Sequence, residues 1–202
     1  MGLSQRSGRF LGVPGTARAR EDFRQPQMAN DWQRFHWDLE KGLDAPPSDL
    51  PPFVFRAAAE ADLDAVLKVV SSALLMERAW TGTGSEFSQK LDERCEQAFE
   101  GDAPACVVVQ HGARIIGASV LDLAADAPAH LITGPCILHE YRSRGFGSVL
   151  LRQSLDRLSR EGLRRVTALA RVNSTAARFV YPKFGGTAEP AAKAQEEPRI
   201  AA

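Results

Sequence analysis

Arg142, Ser143, Arg144, Gly145, Phe146 and Gly147 stand between a short apolar run, residues 131–138, and a helical pattern that opens directly after them. A turn of this kind suits a pyrophosphate. Glycines carry no Cβ, so the backbone can bend sharply and approach a ligand closely. Free N–H groups at the start of the helix, aided by its dipole, face an anion placed there. Arg142 and Arg144 can add charge-assisted hydrogen bonds. The run lacks the third glycine of a dinucleotide fingerprint, because Leu150 occupies that place, and it lacks the Gly-Lys-Ser/Thr ending of a P-loop. Taken alone it would also fit a turn that merely joins strand to helix.

The elements that must carry this turn follow from hydrophobic period. Phe53 to Arg56 reads as a first strand. Leu63, Val66, Leu67, Val70 and Leu74 share one face of a helix opened by Glu60-Ala61-Asp62. Phe87, Leu91, Cys95 and Phe99 share a face of a second helix, with Gly101 after it. Cys106–Val109 and Ile115–Val120 form a hairpin across His111-Gly112. Residues 131–138 read as the next strand. The helix after the glycine turn carries Val149, Leu151, Leu155 and Leu158, and Gly162 closes it. Val166–Val172 is a further strand, and residues 173–184 hold a short last helix. The order β-α-α-β-β-β-α-β-α predicts an α/β fold with a mixed central sheet and helices on both faces. Upstream, Trp32, Phe35, Leu39 and Leu43 recur at helical spacing behind Asn30 or Asp31, which predicts a short amphipathic helix ended by Gly42. The division expected is an extension over residues 1–51, including an ill-ordered arm to about residue 29 and a stiff Pro-rich linker over residues 45–52. A domain over 52–186 comes next, then a disordered tail over 187–202.

This order, joined to Cys136-Ile137-Leu138-His139-Glu140-Tyr141-Arg142-Ser143-Arg144-Gly145-Phe146-Gly147 and to Asn173 and Tyr181-Pro182-Lys183-Phe184-Gly185, resembles the GCN5-related N-acetyltransferase (GNAT) superfamily. The resemblance spans about two thirds of the chain. It implies acetyl-CoA held where two neighbouring parallel strands, residues 131–138 and Val166–Val172, splay apart. It implies pantetheine pairing with the backbone of Cys136, Ile137 and Leu138, and an N–H of Ile137 or Leu138 on the thioester oxygen. The pyrophosphate would lie on Arg142, Ser143, Arg144, Gly145, Phe146 and Gly147, and Asn173 would hold the far side of the pantetheine arm. Tyr181 would protonate the departing CoA thiolate. The reaction implied is direct transfer of acetyl to a small-molecule or peptide amine, without metal or covalent intermediate. The alternative is a non-catalytic acyl-CoA-binding or regulatory module of the same fold.

Two departures matter. The family usually places its tyrosine seven residues after the asparagine, whereas Tyr181 is eight after Asn173; a bulge or a shifted helix start would reconcile them. The family also continues with two more strands, which here are short or missing. An uncovered strand edge invites pairing, so the amino-terminal segment, a second copy in a homodimer, or a brief strand of the tail is expected beside Val166–Val172. No general base is assigned among His111, His130, His139 and Glu140. The acceptor side is expected at the loop holding Glu77, Arg78, Trp80, Thr81 and Ser85.

The bulk numbers narrow the classes. Twenty-five basic and 25 acidic side chains in 202 residues cancel, which argues against nucleic acid or an anionic membrane as partner. No apolar run reaches the length of a membrane span. Cys95, Cys106 and Cys136 lack metal or disulfide spacing and read as reduced thiols of a cytoplasmic protein. The first 20 residues hold four arginines and no acid, as transit peptides do, but an alanine- and arginine-rich style runs through the whole chain.

Overall fold

The structure, a computed structural model, describes residues 32–42, 50–81, 83–101 and 103–189. The arm, the caps at Asn30 and Asp31, Leu43, most of the linker and the tail beyond residue 189 lie outside the described residues.

Among the described residues, seven strands form two sheets. In chain order they are β1 (Trp32–Asp38), β2 (Phe53–Ala57), β3 (Cys106–His111), β4 (Arg114–Val120), β5 (Cys136–Ile137), β6 (Arg165–Arg171) and β7 (Thr187–Ala188). One sheet runs β2-β3-β4-β5 and the other β6-β1-β7, with every neighbouring pair antiparallel. The predicted hairpin is β3–β4. Cys106–Val109 and Ile115–Val120 are buried without interruption. Successive strand residues point to opposite faces, so this sheet is covered on both. The cover comes from α1 (Leu63–Leu75) and α3 (Phe146–Arg160), which both pack on β4, with α2 (Ser85–Gln97) beside α1. No helix among the described residues is long and apolar enough to cross a membrane.

The start of α1 is tied to the sheet. Asp62 accepts from Ala59 N–H at 2.7 Å and from Arg56 Nη1 and Nη2 at 2.6 and 3.1 Å, while Arg56 Nε donates to Gln110 at 2.7 Å. This fixes where the far end of α1, at Leu75, delivers the next residues.

The amino-terminal helix expected from Trp32, Phe35 and Leu39 is a strand instead. β1 pairs along its full length with β6, from Trp32 opposite Arg171 to Asp38 opposite Arg165. A helix that short is marginal in water, whereas an open edge of β6 offers a complete set of backbone partners. Strand geometry also changes which residues act together. Phe35 and Trp37 fall on one face at period two and meet the ring of Tyr181 at 5.0 and 5.1 Å, edge to face. Trp32 meets a different pair of rings, Trp80 at 5.5 Å and Phe87 at 5.9 Å. The tail adds β7, which pairs with β1 at Phe35 and His36. The edge that argued for a second subunit is therefore covered from within the chain.

The strand predicted over 131–138 is broken. Leu131 bridges Leu121 on one side and, in parallel, Ala168 of β6 on the other. Regular pairing with β4 resumes only at Cys136 and Ile137. Gly134 at φ +63° and Pro135, which has no N–H to donate, interrupt it. The Thr133 hydroxyl accepts from Val120 N–H at 3.1 Å, standing in for a backbone carbonyl.

Trp37 is 2% exposed. Trp37→Ala should cost about 3–5 kcal/mol of folding stability, read as a lower urea midpoint at unchanged slope. A change under about 1 kcal/mol would mean that β1 does not hold the second sheet in place.

Candidate functional site

β5 is the outer strand of one sheet and β6 of the other. Among the described residues they are joined through the parallel bridge Leu131–Ala168, beyond which they part. A cavity of about 410 Å³ opens between Cys136 and Ile137 on one side and Leu169 and Ala170 on the other. Gly145, Phe146, Gly147 and Ser148, at the start of α3, line it as well. So do Glu77 and Trp80 from the α1–α2 loop, and Thr175, Tyr181 and Lys183 from the segment after β6.

The glycine turn is shaped as its residues suggest. Ser143 has φ +62° and Gly145 has φ +87°. Positive φ at these two positions bends the backbone sharply into α3, whose first-turn N–H groups can face an anion placed there. The strain falls on Ser143, since a residue with a Cβ is disfavoured at positive φ. Its neighbours differ from expectation. Arg142 donates from Nε to Ile137 O at 3.1 Å and from Nη2 to Ala73 O at 2.6 Å, so it ties α1 to β5. Arg144 lies over the Tyr141 ring at 5.6 Å and is not part of the cavity lining. Lys183 lines the cavity and has no ion-pair partner among the described residues. Its place in the Tyr181–Gly185 motif gives no sign of that role.

The β5 backbone distinguishes the two expected donors. Leu138 N–H donates to Ile116 O at 3.0 Å. In an antiparallel ladder alternate residues face the partner. Ile137, opposite Gly117 and next to Leu138, therefore turns its N–H away from β4, toward the cavity.

Tyr181 is 2% exposed and lines the cavity. A Cβ at Gly134 would strike its hydroxyl, so the bend in the broken strand is where that hydroxyl rests. The hydroxyl has no hydrogen-bond partner among the described residues. Burial, with neighbouring Cys136 and Glu77 adding to it, raises its pKa well above the usual tyrosine value, which keeps it protonated. Tyr181 comes after a π-helical turn, Ala176–Val180, and begins a 3₁₀ turn that ends at Phe184. The last helix expected over 173–184 is thus irregular. Asn173 is exposed and outside the lining, whereas its neighbours Ser174 and Thr175 are in it.

None of the base candidates lines the cavity. Thr167 N–H donates to His130 Nδ1 at 3.1 Å, and burial lowers the pKa of that ring. Glu140 pairs with Arg114 at 2.9 Å. His111 packs on Phe53 at 4.8 Å, and His139 sits in the turn before Tyr141. Glu77, which the sequence places only in the acceptor loop, is the carboxylate that reaches the cavity, and its Oε1 accepts the N–H of Thr175. Trp80 is a wall of the cavity, stacked on Phe87 at 5.5 Å. Burial pushes the Cys136 thiol up to about 12. Among the described residues no cluster of His, Cys, Asp and Glu could hold a metal ion.

Residues 73–186, more than half of the chain, match the family model described as "Acetyltransferase (GNAT) family". No curated protein sequence matches. Among solved structures the fold is similar to that of a Drosophila protein, at TM-score 0.56 and 15% identity over 78% of this chain and 47% of that one. It is also similar to a GCN5-related N-acetyltransferase from Sphaerobacter thermophilus, at TM-score 0.52 and 17% identity over 78% and 48%. A functionally unknown protein from Staphylococcus epidermidis gives TM-score 0.52 and 12% identity over 78% and 57%. The chain thus spans about half the length of these structures.

Two outcomes test the geometry. Gly134→Ala should destabilise the fold by about 1–3 kcal/mol through overpacking. Tyr181→Phe should restore part of that loss in the double variant, because the next ring atom, Cζ, lies at an ordinary 3.5 Å from the added carbon. Additive urea-unfolding energies would separate the two residues. Ellman's reagent at pH 8 should find none of the three buried thiols until the protein is unfolded; rapid reaction of the native protein would contradict their burial.

Proposed function

The chain belongs to the acetyltransferase (GNAT) family, and we propose that it transfers the acetyl group of acetyl-CoA to an amine by direct attack within the cavity between β5 and β6. The observation that carries this reading is the coincidence of three features in one opening: a strand edge unpaired among the described residues, the sharp glycine turn that starts α3, and a tyrosine hydroxyl without a partner among the described residues. Each suits a different part of acetyl-CoA. The amides of the pantetheine arm pair with β5 as an added strand would. The pyrophosphate takes the N–H groups from Ser143 to Gly147, with Lys183 as a cation nearby. Arg142 acts by holding β5 and α1 in place around it. The thioester oxygen accepts from Ile137 N–H, which strengthens as charge grows on that oxygen. Tyr181 gives its proton to the leaving thiolate.

Acetyl-CoA at a hundredfold excess over its Kd should stabilise the protein by about 2.7 kcal/mol, a rise of about 5–10 °C in Tm for a chain of this size. Gly147→Asp tests the anion site. A Cβ there meets nothing closer than 3.9 Å, and a carboxylate in the first turn favours the helix itself. Fold stability should therefore persist while the acetyl-CoA shift disappears. A full shift in Gly147→Asp, or none in the unaltered protein, would overturn the assignment. Tyr181→Phe should keep the shift and lower kcat at least about tenfold; an unchanged kcat would remove Tyr181 from the chemistry.

A further inference from the structure

We propose that Glu77 receives the acceptor as an ammonium ion and takes its first proton, with Trp80 as the wall beside it. The proposal rests on the acetyl-CoA reading of the cavity and adds the acceptor's half of the site.

Glu77 is the one carboxylate among the described residues that line the cavity. It sits just beyond α1, and its Oε1 accepts the N–H of Thr175, which lies between β6 and Tyr181. The side chain thus spans from the α1–α2 loop to the segment that carries Tyr181. Its other oxygen has no donor, and no cation lies within ion-pair distance among the described residues. Of the two cations lining the cavity, Arg142 is held by the carbonyls of Ala73 and Ile137, and Lys183 is unpaired among the described residues. Cys136 and Tyr181, whose ionisation the Glu77 charge opposes, line the same cavity as Glu77. Trp80 is fixed between Trp32 and Phe87, each at 5.5 Å. A half-coordinated carboxylate beside an immobilised indole is a site for a cation. It suits a primary amine without a carboxylate next to the nitrogen, since that group would meet Glu77.

The step balances. The ammonium gives one proton to Glu77. The freed nitrogen attacks the thioester carbon and forms the N–C bond; the C–S bond then breaks. Tyr181 protonates the thiolate, and the second proton of the nitrogen restores the tyrosine. The products are the amide, CoA thiol and one proton, which Glu77 returns to solvent.

The test uses the full chain with acetyl-CoA and n-butylamine, spermidine, tryptamine or a short peptide with a free N-terminus, with thiol release as the readout. Glu77→Gln keeps an acceptor for Thr175 N–H and loses the charge; Glu77→Ala loses both. The expected result is thiol release with at least one amine, a drop of 30-fold or more in kcat/KM for Glu77→Gln, and an unchanged acetyl-CoA shift in Tm. Near-normal activity of Glu77→Gln with loss in Glu77→Ala would make Glu77 a brace for Thr175 and overturn the proposal. An acetyl-CoA shift without thiol release from any of the amines would overturn the acceptor assignment alone. No shift in the unaltered protein would overturn the cofactor reading and this proposal together.

Discussion

The structure depends on a parallel strand pair that begins and does not continue. Leu131 and Ala168 make one bridge, and beyond it β5 and β6 stay apart. Unpaired strand edges close on each other when they can, so something must keep these two separate. The sequence Thr133-Gly134-Pro135 bends one of them. Gly134 takes a left-handed conformation, Pro135 offers no donor, and the Thr133 hydroxyl satisfies the Val120 N–H that the bend would otherwise leave unmet. Tyr181 then sets its hydroxyl against Gly134, where a side chain on that residue would have been. Arg142 holds the end of β5 to α1 through two carbonyls. The opening is a built feature with a wedge on one side and a tether on the other.

The same opening explains the position of β1. A β6 strand open on both edges would be poorly held. β1 occupies the outer edge over seven residue pairs, and β7 in turn covers part of β1. The strand also supports both ends of the cavity wall. Phe35 and Trp37 press edge to face on Tyr181, and Trp32 presses on Trp80. Such aromatic pairs add about 0.5–1.5 kcal/mol each beyond the area they bury. They also fix ring orientation, which matters more here. Residues that read in sequence as an extension are thus what orients two aromatic side chains of the cavity.

Local pattern makes part of the molecule legible in the sequence. α1, α2, α3 and the β3–β4 hairpin follow from apolar period, and the glycine turn follows from residues that tolerate positive φ. Distant partners decide the rest. Trp32, Phe35 and Leu39 fit a helical stripe, and nothing nearby in sequence shows that β6, more than 120 residues on, offers them a strand edge. The charge of Arg142 is visible, but the carbonyls of Ala73 and Ile137 that engage it are not. Histidines attract attention as bases because of their chemistry, yet His130 is already engaged with Thr167. Glu77 attracts none, because a carboxylate in a loop is ordinary until the fold places it in the lining of the cavity that Tyr181 and Cys136 also line.

The spacing of Asn173 and Tyr181 shows how a local irregularity can preserve a distant contact. One residue added to a regular α-helix rotates every later side chain by about 100°, which would turn Tyr181 out of the cavity. The chain instead forms a π-helical turn at Ala176–Val180, in which each hydrogen bond spans one residue more. Tyr181 follows this turn directly, and Pro182 at the start of the next 3₁₀ turn does not need the N–H that a continued α-helix would use. Tyr181 ends buried against Gly134, Phe35 and Trp37. Those contacts come from two distant parts of the chain, strand β1 and the bend before β5. The packing around the ring, rather than the helix that precedes it, sets where the hydroxyl lies.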